Sequence, residues 1–280
     1  MREINVEKIS DVVSDLCVKS NIYLPEDTKK LLKSSFDNEI SGTSKDIIGL
    51  LIENYEYAQE KGVPICQDTG ATVVFLKIGQ DIRLVGGSLK EAINKGVSQG
   101  YKKGYLRCSI VSDPIYDRKN TDDNTPAIIF TDIVDGDKIE ITVAPKGFGS
   151  ENMSRIKMMT PTSSESEIID FVLETVKLAG SKACPPMIIG VGIGGDFEYA
   201  PYLAKKALCR DVKYNEDQRY KNLELKMLKN INNLNVGPQG LGGRTTALAV
   251  NIEWYPTHIA SLPVAVNIGC HATRHCKAVI

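Results

Sequence analysis

The sequence is poor in features that several large protein classes require. Among 280 residues there are three histidines, His258, His271 and His275, and one tryptophan. No Cys-x-x-Cys occurs, so the tight local cysteine run of an electron-transfer iron–sulfur protein is missing. The longest apolar runs, such as Val73–Leu76, span a few residues, whereas a helix across a bilayer needs ~20. The opening residues Met1-Arg-Glu-Ile-Asn-Val-Glu7 carry no apolar signal segment. Charge of one sign is lacking too: 34 Lys+Arg against 35 Asp+Glu leaves -1. The basic excess of a general nucleic-acid or membrane-surface binder is therefore absent. With 42% hydrophobic and 25% charged residues, wholesale disorder is also excluded. There are no repeats, no low-complexity tracts and no obvious linker.

The chain does have seven cysteines, at 17, 66, 108, 184, 209, 270 and 276. An odd number spread over a long chain does not read as a secreted disulfide framework. The expectation is a soluble cytoplasmic protein whose thiols are reduced, with no membrane and no nucleic-acid partner.

The first part reads as helical, to about residue 62. Ile4, Val6, Ile9, Val12, Val13 and Leu16 recur at helical spacing, a second segment follows Pro25, and a third starts near Ser44. Pro64 then forbids continuation. Mixed elements follow. Thr72–Ile78, Met187–Ile193, Thr245–Glu253 and Leu262–Ile268 are β-type runs. Ala127–Val134 and Lys138–Ala144, joined by Asp-Gly-Asp, read as a hairpin. Ser88-Leu-Lys-Glu91 and Ser164-Glu-Ser-Glu167 are capping-box sequences that open helices. Tyr199–Cys209 reads as a helix, and Asn215–Asn233 as an exposed one. The expected class is α+β (mixed α/β), with a helical N-terminal layer and then strands and helices around one core, in a single domain over 1–280.

Three cysteines sit in segments unlike ordinary core. Cys66 lies in Pro64-Ile-Cys-Gln-Asp-Thr-Gly70, Cys184 in Ala183-Cys-Pro-Pro-Met187, and Cys270 in Asn267-Ile-Gly-Cys-His-Ala-Thr-Arg274. Each is bordered by Gly or Pro and adjoins a strand. Thiolates on such turns could meet at one metal centre, although a buried Cys is most often plain core. Cys17 and Cys209 fall on helical apolar faces and read as core; Cys108 and Cys276 stay undecided. A [4Fe–4S] cluster on three thiolates leaves one iron open as a Lewis acid, which suits hydro-lyase chemistry.

Other residues carry two readings. Asp68 is placed for proton transfer or orientation beside Cys66, or caps its own turn. Arg107 could clamp a carboxylate, or be a surface ion-pair residue. Lys146-Gly-Phe-Gly-Ser-Glu-Asn152 could form an anion nest, or be a plain loop. His258 could be an acid, a base or a carboxylate donor, or a structural loop residue. Gly190-Val-Gly-Ile-Gly-Gly195 satisfies G-x-G-x-x-G without a surrounding dinucleotide-binding unit. Gly237–Thr245 mimics a phosphate loop but has Arg244 where Lys is needed; its plainer reading is close backbone packing. Cys270, His271, His275 and Cys276 could be mistaken for a zinc knot, but adjacent Cys-His pairs point in different directions.

Taken together these segments resemble the α subunit of class I fumarases and the related L-tartrate dehydratases, which are iron–sulfur hydro-lyases. The motifs quoted for Cys66, Lys146–Asn152, Cys184–Gly195, Gly237–Leu248, His258–Val264 and Cys270–Arg274 occur in the family's order. The resemblance implies that Cys66, Cys184 and Cys270 hold a [4Fe–4S] cluster, and that Gln67, Arg107 and Gly149 line a site for a small dicarboxylate, with Asp68 and His258 as catalytic candidates. It implies that His258 is contributed across a subunit interface. It also implies that a further domain, absent here, is supplied by a separate β subunit in an α₂β₂ assembly. Within the family the Lys-Gly-Phe-Gly-Ser-Glu-Asn loop and the Gly-Gly-Arg-Thr-Thr run look more like fumarase than tartrate dehydratase. The expected reaction is the reversible hydration of fumarate to (S)-malate, with L-tartrate dehydration as the alternative. The reading from a different class is a non-catalytic metal or redox protein.

Overall fold

The computed structural model describes residues 1–280. In chain order the elements are β1 (Arg2–Asn5), α1 (Val6–Ile22), α2 (Glu26–Asn38), α3 (Gly42–Lys61), β2 (Ala71–Gly79), β3 (Ile82–Val85), α4 (Leu89–Lys103), β4 (Ile128–Val134) and β5 (Ile139–Lys146). A single turn α5 (Phe148–Glu151), β6 (Arg155–Met159), α6 (Glu165–Ala179), β7 (Met187–Gly195), α7 (Tyr199–Ala207), α8 (Gln218–Asn232), β8 (Ala247–Thr257), β9 (Leu262–Gly269) and β10 (Cys276–Val279) complete it. The class is mixed α+β, as expected. No helix is long and apolar enough to cross a membrane.

The chain divides into two compact units, and the buried side chains gather in two main clusters rather than in a single core. The first unit comprises Met1–Pro25, Tyr55–Gly147 and Arg274–Ile280. Its sheet has the order β10-β5-β2-β4. The side chains of β2 and β5 pack with α1 and α4 around Ile9, Val13, Val74, Ile93, Val97 and Ile141. Helix α1 starts at a cap: Asn5 Oδ1 accepts from the Glu7 N–H at 2.9 Å, which satisfies one of the otherwise orphaned first-turn donors. The preceding residues are not helical as their apolar spacing predicts. Arg2–Asn5 pair in parallel with Ile82–Val85 of β3 instead, so tertiary pairing overrides a weak local pattern.

The predicted hairpin is also corrected. β4 and β5 are not neighbours, because β2 lies between them, parallel to β4 and antiparallel to β5. The Asp135-Gly136-Asp137 turn instead wraps the end of β2, where the Gly79 N–H donates to Lys138 C=O at 2.9 Å. A turn signal reports a local reversal, but not which strand fills the space it opens.

The second unit comprises Glu26–Asn54 and Phe148–Thr273, and so holds α2 and much of α3. The N-terminal helices are therefore divided between the units. The sheet order is β6-β9-β7-β8. β7 has a two-residue period with two meanings. Ile189, Val191 and Ile193 pack into a cluster with Val172 and Val176 of α6 and Met227 and Ile231 of α8. Gly190 and Gly192 lie against α7, where an added Cβ would stand 2.0 Å from Ala204 C=O and 2.1 Å from Ala200 C=O. These glycines permit a helix to touch a strand backbone; they sit mid-strand and form no phosphate loop. The Ser164 capping box forms in both directions, with Ser164 N–H donating to Glu167 at 2.7 Å. Helix α8 is not simply an exposed charged helix. It buries Leu223, Glu224, Met227 and Ile231 on one stripe.

Candidate functional site

In the first unit, Cys66, Gln67 and Asp68 occupy the irregular link between α3 and β2. The turn is held from beneath by buried donors. Tyr101 Oη donates to Thr69 C=O at 2.7 Å and lies 3.2 Å from Gly70 C=O. Asn124, fully buried, donates to Gly70 C=O at 3.1 Å and accepts from the Ser109 N–H at 2.8 Å. Arg274 donates to Asp68 C=O at 2.9 Å, and the Ile65 N–H donates to Asn21 C=O at 2.9 Å. Burial pushes the Tyr101 phenol above its ordinary range, so it stays a neutral donor. Because buried carbonyls must find partners, these side chains fix the path of the turn.

On the upper side, the Asp68 N–H donates to Cys66 Sγ at 3.4 Å, and Asp68 Oδ1 accepts from the Gly70 N–H at 3.0 Å. Both readings of Asp68 thus have a foothold: it caps its own turn, and it stands beside a thiol. Gly70 has φ +77, and an added Cβ would meet the Lys146 backbone at 2.7 Å, so the turn lies directly on the end of β5. Asp68 Oδ2 lies 3.1 Å from where a Cβ of Gly147 would be. Arg107 is brought to the same turn through its backbone, since Thr69 Oγ1 donates to Arg107 C=O at 2.8 Å; its side chain is exposed, as is Gln67.

In the second unit, Cys184 and Cys270 come together at one end of the sheet. The His271 N–H donates to Cys184 C=O at 3.2 Å. Cys184 follows a 3₁₀ turn, Gly180–Ala183, and has left-handed backbone, φ 50 and ψ 63. That conformation is uncommon for a residue with a side chain and is kept where the surroundings impose it. The surroundings here are the Gly237–Thr245 loop. Gln239 donates to Pro185 C=O from both its backbone N–H and Nε2, each at 2.8 Å. Gly240 lies so close to Ser181 that a Cβ would meet it at 2.4 Å. The loop that mimics a phosphate motif is therefore a backbone clamp on the Cys184 turn. Cys270 is held by Thr273, whose Oγ1 donates to Cys270 C=O at 2.7 Å. Gly149 is near the same turn, 3.5 Å from Lys182 C=O measured to an added Cβ. The expected nest around it is the single helical turn α5. There Glu151 takes an ion pair from Lys205 and a 3.0 Å hydrogen bond from Asn267.

His258 is not brought to these cysteines. β8 runs parallel to β7 and reaches Thr257 opposite Gly195, whereas Cys184 precedes Met187 at the other end and Cys270 follows Gly269, opposite Ile188. The eight steps from Met187 to Gly195 make about 26 Å. The exposed His258 accepts from the Ala260 N–H at 3.2 Å and so organises its own loop.

No disulfide joins any of the seven cysteines. Cys184 is exposed and Cys66 and Cys270 are partly so, whereas Cys17 and Cys209 are buried, as core residues should be. Burial pushes the Cys17 thiol up to about 12. The undecided Cys108 and Cys276 pack against the first unit's cluster, and desolvation raises both thiols. In neither unit does a group of three or more His, Cys, Asp or Glu side chains stand together at metal-binding distance. The residues that sequence reasoning missed are the supports: Asn21, Tyr101, Asn124, Gln239 and Arg274.

Comparison with known proteins decides the family. The family model described as fumarate hydratase (Fumerase) matches residues 10–279. This chain belongs to that family. It is accordingly an enzyme of the hydro-lyase class. A protein of Methanocaldococcus jannaschii provisionally named L(+)-tartrate dehydratase subunit alpha is 44% identical over 273 residues, covering 95% of each chain. The L(+)-tartrate dehydratase subunit alpha of Escherichia coli strain K12 is 32% identical over 272 residues, covering 96% of this chain and 89% of its own. The protein of the same name from Shigella sonnei matches to the same extent.

Proposed function

We propose that this chain is the cytoplasmic α subunit of a [4Fe–4S]-dependent hydro-lyase that interconverts fumarate and (S)-malate, with Cys66, Cys184 and Cys270 as the cluster ligands. The observation that carries the ligand set is shared by all three thiols. Each lies on an irregular turn within reach of solvent, and each turn is fixed by hydrogen bonds to its own carbonyls or those of its neighbours. The donor chemistry fits an iron–sulfur group: thiolates bind it, and N–H donors to sulfur such as that of Asp68 tune it. When bound, the cluster supplies an open Lewis-acidic iron for the substrate's hydroxyl and carboxylate, which eases C–O cleavage.

The chain's own residues supply position and proton transfer. Dehydration of (S)-malate breaks a C–O bond and removes a proton from the adjacent carbon, whose electron pair becomes the C=C bond. Asp68 holds a carboxylate beside Cys66 and is assigned the proton-handling or orienting role. Arg107 presents a guanidinium that can clamp a substrate carboxylate bidentately, with Gln67 beside it. Gly149 lets the backbone approach the substrate because no side chain intervenes. His258 serves a neighbouring copy's site in an α₂β₂ assembly, in keeping with its distance from Cys184 and Cys270 in its own chain. The relatives' designation as α subunits supports a separate β subunit that completes the site.

Their names also favour a second reading, L(+)-tartrate dehydration. Anaerobic reconstitution with the β partner and parallel assay on fumarate, (S)-malate and L(+)-tartrate separates the two. Turnover of L(+)-tartrate alone would move the assignment to the second reading. Serine at Cys66, Cys184 or Cys270 should abolish iron and sulfide binding, while Cys17→Ser should not. A cluster whose spectrum ignores every dicarboxylate would favour a non-catalytic metal or redox protein.

A further inference from the structure

Arg274 is a buried cation, 4% exposed, four residues after Cys270 in the chain. Its Nη2 donates in two directions, to Asn21 Oδ1 at 2.8 Å and to Asp68 C=O at 2.9 Å. Asn21 is itself fixed, since its Nδ2 donates to Cys17 C=O at 3.0 Å in the last turns of α1, and its own carbonyl receives the Ile65 N–H at 2.9 Å. This nitrogen therefore ties Asp68, two residues after Cys66, to the helix end whose Asn21 carbonyl separately holds Ile65, the residue before Cys66. A guanidinium taken out of water is costly, and an apolar side chain of similar size usually fills such a place at less expense. The charge and the forked donors call for a reason beyond packing.

We propose that Arg274 is a positioning residue for the Cys66 turn: by holding Asp68 C=O it sets the Asp68 N–H toward Cys66 Sγ and fixes the carboxylate of Asp68. The geometry follows from the chain itself. Asp68 carries three of the turn's contacts, N–H to Cys66 Sγ, Oδ1 to the Gly70 N–H, and C=O to Arg274. The N–H and C=O lie in the two peptide planes that meet at the Asp68 Cα, so anchoring the second restrains the residue that carries the first and the carboxylate. The inference rests on Cys66 being a cluster ligand; it adds that its readiness to bind depends on a residue from the far end of the sequence.

The test compares Arg274→Met, Arg274→Lys and Asn21→Ser with wild type and Cys66→Ser, each as the full chain with its β partner. After anaerobic reconstitution, the rate of iron release to a chelator is measured, with kcat and KM. Arg274→Met should lose iron 10–100-fold faster, the range seen when outer partners of metal ligands are removed. Its kcat should fall more than KM rises. Arg274→Lys, which keeps charge and donors, should recover most of both, and Asn21→Ser should move part of the way towards Arg274→Met. In the cluster-free chain, hydrogen exchange over residues 65–72 should quicken in Arg274→Met while β7 is unchanged, a readout independent of catalysis. Wild-type iron retention and exchange in Arg274→Met would overturn the proposal, as would Arg274→Lys behaving like Arg274→Met. If Arg274→Met fails to fold, wild-type iron release and exchange over residues 65–72 in Asn21→Ser overturn it instead. A Cys66→Ser chain that keeps its cluster would sink the ligand assignment itself and the proposal with it.

Discussion

The backbone N–H of Asp68 points at the sulfur of Cys66, 3.4 Å away, while the same residue's carboxylate caps Gly70. One residue thus shapes the turn, donates to a thiol and offers an acid–base group. Its substitutions should separate these roles. Asp68→Asn keeps an oxygen to cap Gly70 but removes the carboxylate, so kcat should fall about 10²–10⁴-fold with iron content retained. Asp68→Ala should lower both. Equal loss of iron in the two variants would assign Asp68 a purely structural part.

The contact of β7 with α7 gives a prediction on stability. Gly192→Ala forces a methyl to within 2.1 Å of Ala200 C=O, which only a helix shift can relieve. The cost should be at least the usual ~1–3 kcal/mol of overpacking. Chemical denaturation should show it as a lower midpoint. By contrast Ile189→Leu, on the opposite face and equal in volume, should stay within about 1.5 kcal/mol if the cluster repacks.

Glu224 should be a sensitive acidic residue of the second unit. It is 4% exposed, accepts from Arg210 at 2.5 Å, and takes the Ile252 N–H at 2.8 Å and the Asn215 N–H at 3.1 Å. Glu224→Ala strands the Ile252 and Asn215 N–H groups and takes from Arg210 one of its two carboxylate partners, leaving it Glu253 and the Ile252 C=O, at a cost of about 3 kcal/mol. Glu224→Gln keeps acceptor capacity and should cost less. Equal urea midpoints for the two variants would refute this account.

Cysteine reactivity should divide sharply. The thiolate is the reactive form, and Cys17 holds its proton until about pH 12 in the fold, against ~8.5 when unfolded. Alkylation of the native cluster-free chain near pH 8.5 should therefore label the exposed Cys184 well before Cys17. The same shift has a stability sign. Between ~8.5 and about 12 the unfolded chain releases a proton that the fold retains, so stability declines as pH rises through that window. Cys17→Ala should flatten that part of the slope, measured by denaturation at several pH values.

Much of this architecture was legible locally. The Ser164 capping box and the β-type runs of β7 and β9 depend on neighbouring residues, and they formed where their patterns put them. What stayed hidden depends on distant partners. The insertion of β2 between β4 and β5 pairs Val73 with Ile128 and Ala71 with Lys146, 55 and 75 residues apart, which no turn signal encodes. Arg274 gave no local sign of burial, since a lone arginine in a loop ordinarily faces water. Its only clue was its place in the Cys270 segment. The cysteine turns were legible because Gly and Pro punctuate them. Their supports, Tyr101, Asn124 and Gln239, were not, because each reads as an ordinary helix or loop residue until the fold brings it to a carbonyl.

Strand β7 has a lesson about patterns. Its aliphatic positions face one layer and its glycines the other, so a scan of every substitution along it should show tolerance rising and falling at alternate residues. The aliphatic sites should accept one another's shapes, and the glycine sites should accept almost nothing. A spacing often taken as the mark of a nucleotide pocket is, in this chain, the imprint of a pleat pressed against a helix.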